Sequence, residues 1–133
     1  MNQLIDENPV KIISHQLLEE LKAINVAEGQ VIVHGLFKSP PAENVYIRIW
    51  PTTFLFDKHS DHRSELVWFD KIALFPQWTE VSADTFFTFT LVFTALPSSC
   101  TVFDLAEVIP ESGGFFIGDI FRTSEDVYFV DFS

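Results

Sequence analysis

The stretch DTFFTFTLVFTAL, residues 84–96, decides the fold class. Phe87, Phe89, Leu91, Phe93 and Ala95 fall on one parity, Thr88, Thr90 and Thr94 on the other. Strand side chains alternate between two faces, so this spacing predicts a strand with a buried side. Phe86 and Val92 fall on its outward side. A helix would scatter the same residues around its whole circumference.

Outward from this strand the pattern repeats in short pieces. Toward the N-terminus, residues 73–81 contain Pro76, Gln77 and Trp78 and read as a crossing segment between sheets. Residues 65–72 and 53–57 read as strands joined by the polar loop KHSDHRS. In residues 45–50, Val45, Ile47 and Ile49 alternate with Tyr46, Arg48 and Trp50. A strand over 30–38 ends at Ser39-Pro40-Pro41, because proline has no N–H to give a ladder. Glu28-Gly29 reads as a tight turn after a strand over about 22–27. Before that, Leu17, Leu18, Leu21 and Ile24 have helical spacing with Ser14 as a cap, so residues 11–24 read as a short helix or an extended edge. Residues 1–10 read as a flexible end. Toward the C-terminus, strands are expected over 101–109, 115–121 and 127–132, with turns at Pro97-Ser98-Ser99 and at 110–114. Eight or nine short strands with regular turn signals predict one all-β domain over residues 1–133, most simply a two-sheet, immunoglobulin-like β-sandwich. A lipocalin-type barrel fits less well, because the crossing segments interrupt its hairpin pattern.

Composition agrees. A chain of 133 residues with 47% apolar and 15% aromatic residues, including 15 phenylalanines, can bury a core between two sheets. The net charge of −11 opposes binding to nucleic acid phosphates or to an anionic membrane. The single cysteine, Cys100, allows no internal disulfide. MNQLIDENPVK has no basic region followed by an apolar one, and no run approaches a membrane span, so a cytoplasmic protein is expected.

The segments IRIWPTTFLFD (47–57), ALFPQWTEV (73–81), FTLVFTALPSSCTVFDLAEVIP (89–110) and GGFFIGDI (113–120) resemble a group of small, uncharacterised bacterial immunoglobulin-like β-sandwich domains. The resemblance covers most of the chain after about residue 30 and is best over 89–110. It implies the fold, carries no assigned activity and transfers no functional residue.

Five ligand-type residues crowd the 57–65 loop: Asp57, His59, Asp61, His62 and Glu65. Oxygen and imidazole donors at this density define a candidate divalent-metal site if three or four converge. The opposing reading is a solvated hairpin loop, favoured by the interleaved Lys58 and Arg63. Tyr46, Trp50, Trp68, Trp78 and Phe86 form a candidate binding surface, with Tyr128 and Val92 as further members. Flat aromatic faces stack on sugar rings or on proline-rich peptides. The opposing reading has the tryptophans sealing the core.

Asp104 and Glu107 are three apart in a strand, hence on opposite faces and not an acid–base couple. Glu107 shares the parity of Phe103, Leu105 and Ile109, so it either pairs with Arg48 or reaches solvent at the strand end. Cys100 is a candidate nucleophile only if His34 or His15 reaches it, and otherwise a turn or core residue. Gly113-Gly114 precedes a strand, which fits a hairpin turn and not a phosphate cradle. No motif for a catalytic elbow or nucleotide loop is present. The expected function is a non-catalytic binding or protein-interaction domain with no cofactor, taking a protein partner or a second copy of itself. The alternatives are a metal-dependent enzyme or metal sensor at the 57–65 loop, and a small-ligand carrier with a hollow interior.

Overall fold

The computed structural model describes residues 29–133. The helix or strand expected within residues 11–27 lies outside the described residues, as does the flexible end at 1–10. Nine strands follow: β1 (Val31–Lys38), β2 (Val45–Ile47), β3 (Thr53–Asp57), β4 (Arg63–Asp70), β5 (Thr79–Val81), β6 (Phe86–Phe93), β7 (Val102–Glu107), β8 (Phe116–Phe121) and β9 (Val127–Asp131). No helix of the described residues is long and apolar enough to cross a membrane.

Seven strands form one mixed sheet in the order β8-β7-β3-β4-β6-β1-β9, and β2 and β5 form a small second sheet. Among the described strands only β1 and β9 pair in parallel. The sheet curls at β4, which serves two partners. Its first residues pair with β3, Leu55 opposite Ser64, and its later residues with β6, Phe69 opposite Leu91. The register shifts between Leu66 and Trp68, and such an irregularity bends and twists a strand. The expected all-β fold of nine strands is present, as one curled sheet whose two wings share β4, with a small second sheet beside it.

Both wings contribute to one core. Leu55, Phe103, Leu105, Ile117 and Ile120 come from β3, β7 and β8, and meet Val33, Leu91, Phe93, Tyr128 and Val130 from β1, β6 and β9. The rings of Phe103 and Tyr128 cross the seam edge to face, 5.1 Å between centroids. Full burial of such side chains is the main stabilising term, about 1.5–3 kcal/mol each. In β6 the expected inward residues Phe89, Leu91 and Phe93 are buried, but so are Thr90 and Val92. This strand is covered on both faces over its second half, so Val92 is withdrawn from any surface patch.

One glycine prepares the site. Gly35 of β1 lies opposite Phe89 of β6, and a methyl group there would enter the Phe89 ring. The bare backbone lets that ring lie flat over β1, where it helps floor the cleft described next.

Candidate functional site, an aromatic cleft beside the small sheet

Residues 45–50 were expected as one strand, but only Val45–Ile47 is regular. Beyond it Ile49 makes an isolated parallel bridge to Leu74. The Ile49 N–H donates to Ala73 O at 2.9 Å and the Phe75 N–H donates to Ile49 O at 2.8 Å. These bonds bring the 73–81 segment, expected only as a crossing, against the 45–50 segment. Its last part forms β5, in which Glu80 lies opposite Tyr46.

This junction builds a wall of rings. Trp50 and Phe75 stack with centroids 3.8 Å apart. The Arg48 guanidinium lies 3.7 Å from the Trp78 ring centre and 4.6 Å from that of Phe75. It also donates to Pro76 O at 3.3 Å, which fixes its plane over the rings. Each exposed cation–π contact of this kind contributes about 0.5–1 kcal/mol. Tyr46 and Trp78 remain 60% and 55% exposed, so the wall faces water.

Behind the wall is an open cavity of about 280 Å³. Ile47, Ile49, Ile72 and Phe89 line its apolar floor, and Glu107, Glu111, Ser112 and Gly113 its far rim. Gly113 turns the rim in the left-handed region, φ 100°. Gly114 passes so close to the Glu107 carbonyl that a Cβ would stand 2.5 Å from that oxygen. This is the hairpin turn expected from the sequence, connecting β7 to β8.

Glu107 is half-buried at the end of β7. Its carboxylate accepts the Trp50 N–H at 3.0 Å, and its own N–H donates to Phe115 O at 3.0 Å. Burial raises its pKa above 4.5, against the pull of nearby backbone N–H groups and of the Arg48 charge. Arg48 is therefore a distant electrostatic neighbour: among the described residues Glu107 and Arg48 form no ion pair, and the Trp50 N–H binds the carboxylate instead.

Of the candidate binding residues, the fold brings Tyr46, Trp50 and Trp78 together. Trp68 lies on β4 opposite Val92, away from the cleft. Phe86 is exposed at the start of β6, under the Lys38 ammonium at 5.6 Å. None of the three tryptophans is buried, contrary to the reading that they seal the core. Phe75 and Arg48 are members that sequence reasoning did not assign to the surface. The signal for Arg48 was present, since it shares parity with Tyr46 and Trp50.

The 57–65 loop does not assemble a metal centre. Among the described residues no three His, Cys, Asp or Glu side chains come together to hold an ion. Asp57 turns inward and accepts the His59 N–H at 3.0 Å and the Ser60 hydroxyl at 2.7 Å, and these bonds hold its pKa below 3.8. His62 Nε2 stands 3.0 Å from Ser64 Oγ and 3.1 Å from Ala95 O. His59, Asp61 and Glu65 are exposed. The loop's polar atoms close the β3–β4 hairpin on itself.

Cys100 is buried, and burial together with the Asp57 charge pushes its thiol pKa up, the wrong direction for a nucleophile. His34 pairs instead with Thr90, and His15 lies outside the described residues. Asp104 faces away from Glu107 and accepts the Asp119 N–H at 2.9 Å. No protein-family model, curated protein or solved structure matches the chain.

Proposed function

We propose that this chain is a non-catalytic binding domain whose cleft takes an extended segment of a partner protein. The observation that carries this reading is the pair Tyr46 and Trp78, more than half exposed at the mouth of an apolar cavity. Large rings left in water beside a concave apolar floor mark contact surfaces. Tyr, Trp and Arg are also the residue types that most often anchor interfaces. A cavity of about 280 Å³ suits one proline or aromatic side chain and is far too small for a folded element. Glu80, held by Tyr46 and Asn44, joins Glu107 and Glu111 as acids around the opening. With the net charge of −11, this favours a partner carrying basic residues beside its anchoring ring. The test is capture of that partner by the wild-type domain and its loss on Tyr46→Ser with Trp78→Ser.

The second reading is self-association along β8. This strand ends the large sheet and exposes Phe116 and Phe121, the arrangement that invites edge-to-edge pairing. Sedimentation over a range of concentrations separates the two readings. A hollow carrier has less support, since the space between the wings is filled by the shared core.

We also read the two wings as an immunoglobulin-like sandwich, in keeping with the sequence resemblance. In support, Tyr128 at the start of β9 accepts the Thr123 N–H at 3.0 Å, five residues upstream, much as the tyrosine corner of such domains does.

A further inference from the structure

Tyr46 and Trp78 belong to two hollows at once. They line the cavity of about 280 Å³, and with Val45 they also line a second, more open groove. The two rings are therefore a ridge between two apolar subsites. Trp78 carries the Arg48 guanidinium over one face at 3.7 Å and is still 55% exposed. A ligand that fills both subsites has to place two apolar groups on one face of its chain, one on either side of the ridge.

The backbone around the ridge decides what kind of chain that is. A partner strand is held by main-chain bonds to unpaired N–H and C=O groups. Along this wall those groups are taken. The Ile49 N–H donates to Ala73 O at 2.9 Å, the Trp50 N–H to Glu107 Oε2 at 3.0 Å, the Phe75 N–H to Ile49 O at 2.8 Å and the Gln77 N–H to Leu74 O at 2.9 Å. Pro76 has no N–H, and its carbonyl accepts from Arg48. β2 and β5 are three residues each, too short to hold an added strand by its backbone. Recognition here falls to rings and side-chain donors. A polyproline II helix suits them: with three residues per turn, its residues i and i+3 share a face about 9 Å apart. It needs no ladder, and it reaches the bound state already extended. Its carbonyls are free to accept from the indole N–H groups of Trp50 and Trp78, which can only donate.

We propose that the cleft takes a proline-rich segment in the polyproline II conformation, with one proline in the cavity, a second three residues away in the Val45 groove, and a flanking Arg or Lys at Glu80. Glu80 accepts from the Tyr46 hydroxyl at 3.3 Å and from the Asn44 amide at 3.2 Å, so a held negative charge stands beside the ridge. A cation next to the proline pair meets that charge and sets which way the segment runs. This inference rests on the cleft reading above and names the ligand class that the cleft selects.

The test is titration of the full chain with two matched sets of short synthetic peptides, followed by the indole N–H signals of Trp50 and Trp78. One set carries prolines at i and i+3 with a flanking Arg. The other keeps the Arg and replaces the proline pair by Val and Tyr, as a strand-forming ligand would have. The proline set is expected to shift both indole signals saturably and to bind at least about tenfold more tightly than the other. Trp78→Ser, with the core signals of Phe103 and Tyr128 unchanged, is expected to weaken the proline set by at least about tenfold. Glu80→Gln is expected to reduce the salt dependence of that binding. Equal binding of the two sets at these indoles would overturn the polyproline proposal and leave the cleft reading standing. Proline-set binding unchanged on Trp78→Ser would overturn the proposal as well, and no indole shift with either set would overturn both readings.

Discussion

Glu107 Oε2 accepts the backbone N–H of Trp50 at 3.0 Å. This bond ties the end of β7 to the irregular chain after β2, and so couples the core wing to the ring wall of the cleft. The Glu107 N–H in turn donates to Phe115 O at 3.0 Å, across the rim. One half-buried acid therefore holds both sides of the cavity.

That placement sets a pH dependence. Burial makes ionisation of Glu107 harder in the folded chain than in the unfolded one, so its folded pKa lies above 4.5. Its contribution to stability is complete below pH 4.5 and declines as pH rises through the folded value. Glu107→Gln stays neutral throughout. Its stability relative to wild type should therefore rise as the pH is taken up from below 4.5 in urea titrations.

His34 has the opposite sign. Its folded pKa of about 4 lies below the ordinary 6.5, so in this window the unfolded chain takes the proton first. Stability is complete above pH 6.5 and falls as pH drops toward 4, by about 3 kcal/mol at the limit. The double change His34→Leu with Thr90→Val removes both polar partners together. It should flatten this part of the pH–stability curve.

The core and the edge should separate clearly. Phe93 is fully buried where the wings meet, and Phe93→Ala should cost about 3–5 kcal/mol. Phe121 is 70% exposed on β8, and Phe121→Ala should stay within about 0.5 kcal/mol. Chemical denaturation of the two variants measures both.

Much of this fold was legible because period two is a strong signal. Phe89, Leu91 and Phe93 were placed inward by alternation alone, and the turns at 97–99 and 110–114 were marked by Pro, Ser and Gly. Alternation fixes which side chains share a face, however, and not whether that face meets water. Thr90 and Val92 are therefore on the expected side and buried nonetheless. The curl at β4 was not legible, since it depends on a register shift between Leu66 and Trp68 that leaves no compositional mark.

The 57–65 loop gives the contrary lesson. Its ligand-type residues are close in sequence, but Asp57 is turned inward by its own loop. Asp57→Ala should destabilise by about 1–3 kcal/mol through two lost hydrogen bonds. Zinc, manganese or calcium should leave the melting temperature of the wild-type domain unchanged. Half of the cleft was readable, since Tyr46, Arg48 and Trp50 share parity. Trp78 was named from its residue type, but its place beside Arg48, and the part played by Phe75, were not readable, because both rest on the Ile49–Leu74 bridge that brings a distant segment alongside.

The most direct measurement of the central claim is quantitative affinity capture from native cell extract, read by mass spectrometry. It compares wild type with the Tyr46→Ser, Trp78→Ser double variant at matched folding, checked by the unchanged core signals of Phe103 and Tyr128. The cleft account predicts one near-stoichiometric partner on wild type, lost by at least about tenfold on the variant, as expected for removing two ring anchors. Equal capture by both would contradict it, and would place the domain's contacts on a surface other than the aromatic cleft.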